Sequence, residues 1–276
     1  MATIDATVGG ASANSYETHA EANTFFGNRI PITPAWVASG EEAYLITATR
    51  LLDNLAQPYK TFFPAQGGDP AYYRVRRQWL GKPATPTQRL AWPRIGMFDG
   101  NGNALDFVIV SNSVAAATVI STGTTPHRQV SGTSVLIFGD ATSVPAINGT
   151  WTITVIDAYS FSIPLAVTTA GAGAKFSTVP QDIKDAESEF AGQLLAGDRS
   201  QDNSVIIQGL NSVKAGSVSL GFNKDIIAQV IPQSVYDMLT PYLTDELYIL
   251  ANMAVFDVAS EDPTRAAREG RLPEFF

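Results

Sequence analysis

Trp151-Thr-Ile-Thr-Val-Ile156, turning at Asp157-Ala158 into Ser160-Phe-Ser-Ile163, is the stretch that decides the fold reading. β-Branched and aromatic residues suit a pleated, half-buried surface, so both runs read as strands. Working outward, Ser134-Val-Leu-Ile-Phe138 reads the same way, with turns at Gly139-Asp140 and Asn148-Gly149. Across residues 106–175 the only charged side chains are Asp106, Arg128, Asp140, Asp157 and Lys175, and Thr, Ser, Val, Ile and Gly dominate. Composition shifts abruptly near Leu105. The pattern predicts a small all-β module, β-sandwich or barrel-like, over 104–178. It would be inserted into a surface loop, where long insertions cost little closure entropy.

The flanking pattern is helical. Asn14 with Glu17 reads as a capping box opening a helix that stops at Gly27-Asn28. Ser39 with Glu42 repeats the device before an apolar-periodic run that Pro58 ends. Thr85-Pro86 predicts a short third helix closed by Pro93. Pro180 opens another, carrying Ile183, Ala186, Glu187, Phe190 and Leu194 to Gly197, and Pro232 begins a further one. Residues 204–207 and 216–220 read as a hairpin. The expectation is an α+β chain with a mainly helical domain (1–103 and 179–243) of four or five helices plus the hairpin. That domain is interrupted by the β module and followed by a docking tail (244–276) ending in Phe275 and Phe276.

Composition removes several function classes. The 276 residues are 45% hydrophobic and 16% charged, as in a folded chain, and the formal net charge of -8 argues against a broad basic face for duplex DNA. With no cysteine there are no disulfides, thiolate metal sites or thiol nucleophiles. Residues 1–10 lack the features of a signal peptide, and no apolar run is long enough for a bilayer, so a soluble chain is expected. The two histidines, His19 and His127, fall in different expected domains and assemble no triad. His19 reads as structural and His127 as a solvated turn residue. Gly67-Gly68 lacks the Lys-Ser/Thr of a phosphate loop. Asp185 with Glu189, or Asp140 with Asp157, could hold a cation, but a solvated surface is the plainer reading. The expectation is a non-enzyme without cofactor or metal.

One block stands out. Tyr72, Tyr73, Arg74, Arg76, Arg77, Trp79, Lys82, Arg89, Trp92 and Arg94 crowd into two dozen residues of an acidic chain. Three readings stay open: a protein interface rich in Trp and Arg, a loop-rich core anchored by the tryptophans, and a stacking platform for single-stranded nucleic acid. The interface or packing candidates are Trp79, Gln88, Trp92, Arg94, Arg76 and Arg77, with Phe275 and Phe276 in the tail. The arginines are expected to meet protein carboxylates.

Trp79-x-Gly81 followed by Gln88-x-Leu90-x-Trp92-Pro93-Arg94-x-Gly96-x-x-Asp99-x-x-Gly102 resembles the signature of tailed-phage head-tail adaptor (head completion, neck connector) proteins. These are often labelled DnaT-like single-stranded-DNA-binding proteins. Asn14-Ser15-Tyr16 with Ala20-Glu21-Ala22 and Phe25-Phe26, Ala48-Thr49-Arg50-Leu51-Leu52-Asp53, Val179-Pro180-Gln181 through Ala186, and Pro241-Tyr242-Leu243 are similar to further family segments, in the same order. The chain departs from that family by the insert at about 104–178 and by some thirty residues beyond Leu243. The resemblance implies a structural virion protein forming a homo-oligomeric ring, commonly of twelve copies, beneath the portal protein. The ring would meet the next neck or tail protein and pass genomic DNA without binding it specifically, with no membrane partner. The alternatives are a single-stranded-DNA-binding protein of phage replication, and a glycan- or surface-binding decoration acting through the β insert.

Overall fold

The structure is a computed structural model describing residues 2–37, 39–55, 60–63, 72–75, 78–99, 101–197, 212–215, 218–221, 231–244 and 247–250. The chain divides into two compact units, one of residues 1–56 and 78–244 and one of residues 57–77 and 245–276. In the second, β1 (Lys60–Phe63), β2 (Tyr72–Val75) and β15 (Leu247–Leu250) form an antiparallel sheet with β2 in the middle. Part of the segment expected as a docking tail is therefore a strand paired with 72–75.

The first unit contains α1 (His19–Gly27), α2 (Glu42–Leu55), α3 (Gln181–Ala196) and α4 (Gln233–Leu239). The helices pack by their apolar stripes. Leu45, Ala48 and Leu52 of α2 and Ile183, Ala186, Phe190 and Leu194 of α3 recur at helical spacing. They are buried together with Val235 and Leu239 of α4. Fully burying a side chain such as Phe190 contributes about 1.5–3 kcal/mol.

The expected mainly helical domain is not what forms. Among the described residues there are fifteen strands in five sheets against four helices, the longest of 16 residues. Two local causes are visible. In place of the helix expected at Thr85-Pro86 there is a turn: Thr85 N donates to Gln88 Oε1 as at a helix start, but Gln88 Nε2 donates to the Leu90 and Pro93 carbonyls and Ala84 N to the Pro93 carbonyl. Such side-chain bonds compete with helix formation. The two-residue strands β3 (Lys82–Pro83) and β4 (Arg94–Ile95) pair across that turn. Farther upstream, α1 starts four residues later than expected. Asn14 is engaged with Asp5 and Thr3, and the capping box is Thr18 with Glu21. A hairpin forms in this region with a different first arm from the one expected: β13 (Ser212–Ala215) pairs with β14 (Val218–Gly221), and residues 204–207 lie outside the described residues.

The segment 106–177 folds as its own closed sheet. Its strands are β5 (Asp106–Val108), β6 (Ser111–Asn112), β7 (Ala116–Ser121), β8 (Ser134–Phe138), β9 (Gly149–Thr152), β10 (Thr154–Asp157), β11 (Ser160–Ala166) and β12 (Lys175–Ser177). One sheet runs β10-β11-β7-β6 and the other β5-β12-β8-β9. Because β5 continues into β6 and β9 into β10, each outer strand crosses from one sheet to the other. The antiparallel pairings therefore close a circle of six chain passes. Closure removes the edges that would otherwise recruit foreign strands. Ile109 and Ile153 sit at the two crossings and are buried in the barrel core with Phe161, Ile163 and Phe176. Apolar Val135, Leu136 and Ile137 follow one another in β8 because both its faces are covered: Val135 and Ile137 enter the barrel, while Leu136 joins the core shared with α2, α3 and α4.

Candidate functional site

Trp79 and Trp92 lie in the body core, 8% and 1% exposed. Their rings meet edge to face at 5.7 Å, and Trp92 meets Tyr242 in the same way at 5.4 Å. Leu80 N donates to the Tyr242 carbonyl at 2.9 Å, and Trp79 bridges to Leu243. The Trp block and the Pro241-Tyr242-Leu243 segment are thus one packed element. Gly81 is required there. Its φ is +65°, and an added Cβ would stand 2.4 Å from both the Ile95 carbonyl oxygen and Met97 Cγ.

Arg94 faces inward, 8% exposed. Nε donates to the Leu80 carbonyl at 2.6 Å, Nη1 to Ala91 at 3.1 Å and Nη2 to Gly81 at 2.7 Å. It therefore holds backbone carbonyls, not the carboxylates expected of it. Desolvation pushes the guanidinium down to about 10, opposed by Tyr16 and Asp53, so it stays charged at neutral pH. The carbonyl of Arg94 accepts from Ser177 Oγ at 2.9 Å, and Gly96 N donates to Asp106 Oδ1 at 2.8 Å, which fastens the block to both ends of the barrel segment. Gln88 closes the same loop from within. Arg76, Arg77, Phe275 and Phe276 lie outside the described residues.

Behind the block lies a cluster of acids that the sequence reading missed. Glu187 is fully buried and Glu17 is 1% exposed. Glu187 accepts from Ser15 Oγ at 2.6 Å, from Tyr16 N at 2.9 Å and from Thr49 Oγ1, while Ser188 Oγ donates to Glu17. Desolvation raises both carboxyls well above the usual range. The Tyr16 hydroxyl donates to Asp53, which burial pushes up to about 6. The signal was legible: Glu187 stands on the stripe of Ile183, Ala186, Phe190 and Leu194, at positions that share one helix face.

The other candidates are structural. His127 is 1% exposed rather than solvated. Its Nδ1 accepts from Gln129 N at 3.0 Å, so Nε2 carries the hydrogen and donates to the Asp157 carbonyl at 2.9 Å. Asp140 cannot offer its oxygens to a cation, because Thr142 N, Ser143 N and Ile147 N donate to them. Glu189 is buried against Arg29 at 2.6 Å, and Asp185 accepts from Gln181. His19 stacks near Trp36 at 5.7 Å. Among the described residues no group of three or more His, Cys, Asp or Glu side chains is placed to hold a metal ion, and no helix is long and apolar enough to cross a membrane. The chain matches none of the known protein-family profiles and none of the curated proteins.

Proposed function

We propose that the chain is a head-to-tail adaptor of a tailed phage, assembling as a ring beneath the portal and receiving the next neck or tail protein. The observation that carries this reading is the convergence of the family-like motifs. Tyr16, Ala22, Leu52, Trp79, Trp92, Ile183, Ala186, Tyr242 and Leu243 are scattered over more than two hundred residues yet share one hydrophobic core. The ordered resemblance thus corresponds to one packed unit, with the barrel set into it between two adjoining ends. Against the nucleic-acid alternative, neither Trp79 nor Trp92 exposes a face on which a base could stack. The acidic balance suits a channel component, because each neutralised phosphate would add affinity and slow DNA passage. Native mass spectrometry of the protein alone and mixed with its portal tests the proposal. A closed ring of defined copy number, formed alone or on the portal, is expected. A monomer in both samples that binds short oligonucleotides salt-sensitively would overturn it.

A further inference from the structure

We propose that the N-terminal arm, residues 2–18, is a proton-held clasp: a proton kept on the Glu17/Glu187 pair ties the arm to α2 and α3, and its loss lets the arm go. The arm joins three parts of the first unit. Thr150 Oγ1 of β9 donates to the Val8 carbonyl at 2.7 Å, and Gly9 lies against Leu136 of β8. Arg89 N, in the Trp block, donates to the Gly10 carbonyl at 3.1 Å. Ser15, Tyr16 and Glu17 then grip the helices through Glu187, Asp53 and Ser188. Within the arm, Asp5 and Asn14 fasten the two halves together.

The electrostatics of the grip are one-sided. Glu187 receives the Tyr16 N–H and shares the Ser15 and Thr49 hydroxyls with the Glu17 and Leu45 carbonyls, whereas Glu17 has the Ser188 hydroxyl alone among the hydrogen bonds of its carboxyl group. The cations on the packed elements are committed elsewhere. Lys184 of α3 pairs with Glu21 of α1 at 2.5 Å, Arg29 with Glu189 at 2.6 Å, and Arg94 holds the Leu80, Ala91 and Gly81 carbonyls. The remaining neighbours, Glu21, Asp53 and the Tyr16 hydroxyl, add negative charge or none. A second charge placed on Glu17 therefore faces Glu187 with only Lys184, already paired to Glu21, to offset it, in a buried site where repulsion is weakly screened. Burial holds both carboxyls above their usual range, in keeping with a proton retained at neutral pH.

Pulsed hydrogen exchange on the full chain at several pH values from 6 to 9.5, corrected for intrinsic exchange, tests the clasp. The opening constant of amides 13–18 should rise from pH 6 upward, approaching tenfold per pH unit where one proton is lost on opening, and level off above about pH 9. Amides of β11 should stay level. In Glu17→Gln the rise should vanish, because a neutral amide keeps the Ser188 contact without the second charge. A flat profile in the wild type, an equal rise in β11, or an unchanged rise in Glu17→Gln would each overturn the proposal. Should that variant fail to fold, carboxyl carbon-13 titration of the wild-type glutamates decides: every Glu titrating near its ordinary value refutes the clasp.

Discussion

Substituting lysine for Arg94 keeps the charge and removes the fork, which separates a carbonyl cage from a phosphate contact. The guanidinium reaches three carbonyls, at 2.6, 3.1 and 2.7 Å, from a residue 8% exposed. An ammonium is a point donor and can serve one of them well, leaving about two without their charged partner. An unpaired, partly buried carbonyl costs about 1–1.5 kcal/mol at the low end of the usual range, so Arg94→Lys should lose roughly 2–3 kcal/mol. For a body of 150–250 residues, each kcal/mol corresponds to about 2–4 °C, so Tm should fall by about 5–10 °C. Calorimetry and urea titration read the stability, and fluorescence anisotropy with a short oligonucleotide reads binding on the same sample. A variant that melts with the wild type yet loses oligonucleotide binding would refute the cage and restore the nucleic-acid reading.

Stability should also fall with rising pH. Carboxyls raised by folding make the native state bind more protons than the unfolded chain above about pH 4.5, so the slope is negative from mildly acidic through alkaline pH. Urea midpoints should drop by the equivalent of roughly 5 kcal/mol between pH 5 and 9, about 1.4 kcal/mol per pH unit for one retained proton, and a midpoint that rises over this range would contradict the buried pair. Gly81→Ala should cost about 3 kcal/mol or more, since it adds a backbone clash to a left-handed φ. Gly96→Ala, with φ +73° and open space around it, should cost about 1 kcal/mol, and equal losses in calorimetry would deny the clash at Gly81. Trp92→Phe should be far milder than Trp92→Ala, at about 3–5 kcal/mol, because the indole N–H has no hydrogen-bond partner among the described residues and its removal relieves a buried donor. Equal melting temperatures for the two variants would contradict this.

What the sequence disclosed depended on how local the information was. β8 occupies the residues expected of it, and α3 runs to the glycine expected to stop it, because period and punctuation lie within a few residues. The pairing of 72–75 with 247–250 joins segments more than 170 positions apart, and nothing in either run announces its partner. The Trp block was misread in its detail for a related reason. Thr85-Pro86 is a sound helix start taken alone, but the Gln88 amide donates to the Leu90 and Pro93 carbonyls and holds the chain in a turn. Glu187 was overlooked because a charged residue on an apolar stripe is usually taken as an edge of the stripe. Its donors, Ser15, Tyr16 and Thr49, come from two other segments.

The arrangement of polar bonds explains how the first unit can hold a barrel between two segments of its body without a rigid linker. The barrel's two ends emerge side by side on β5 and β12, and the Trp block binds both: Ser177 reaches the Arg94 carbonyl, and Asp106 receives Gly96 N. On the far side of β8, Leu136 inserts into the body core beside Val8. The joint is thus made of the apolar side chains of Leu136 and Phe138 and a few hydrogen bonds from short loops, and two of its components belong to the N-terminal arm. If the arm is fastened by protons, the seam between barrel and body is the first place where that fastening should be felt. A change at Glu17 would then alter exchange at Val8 and Thr150 before it altered the barrel core.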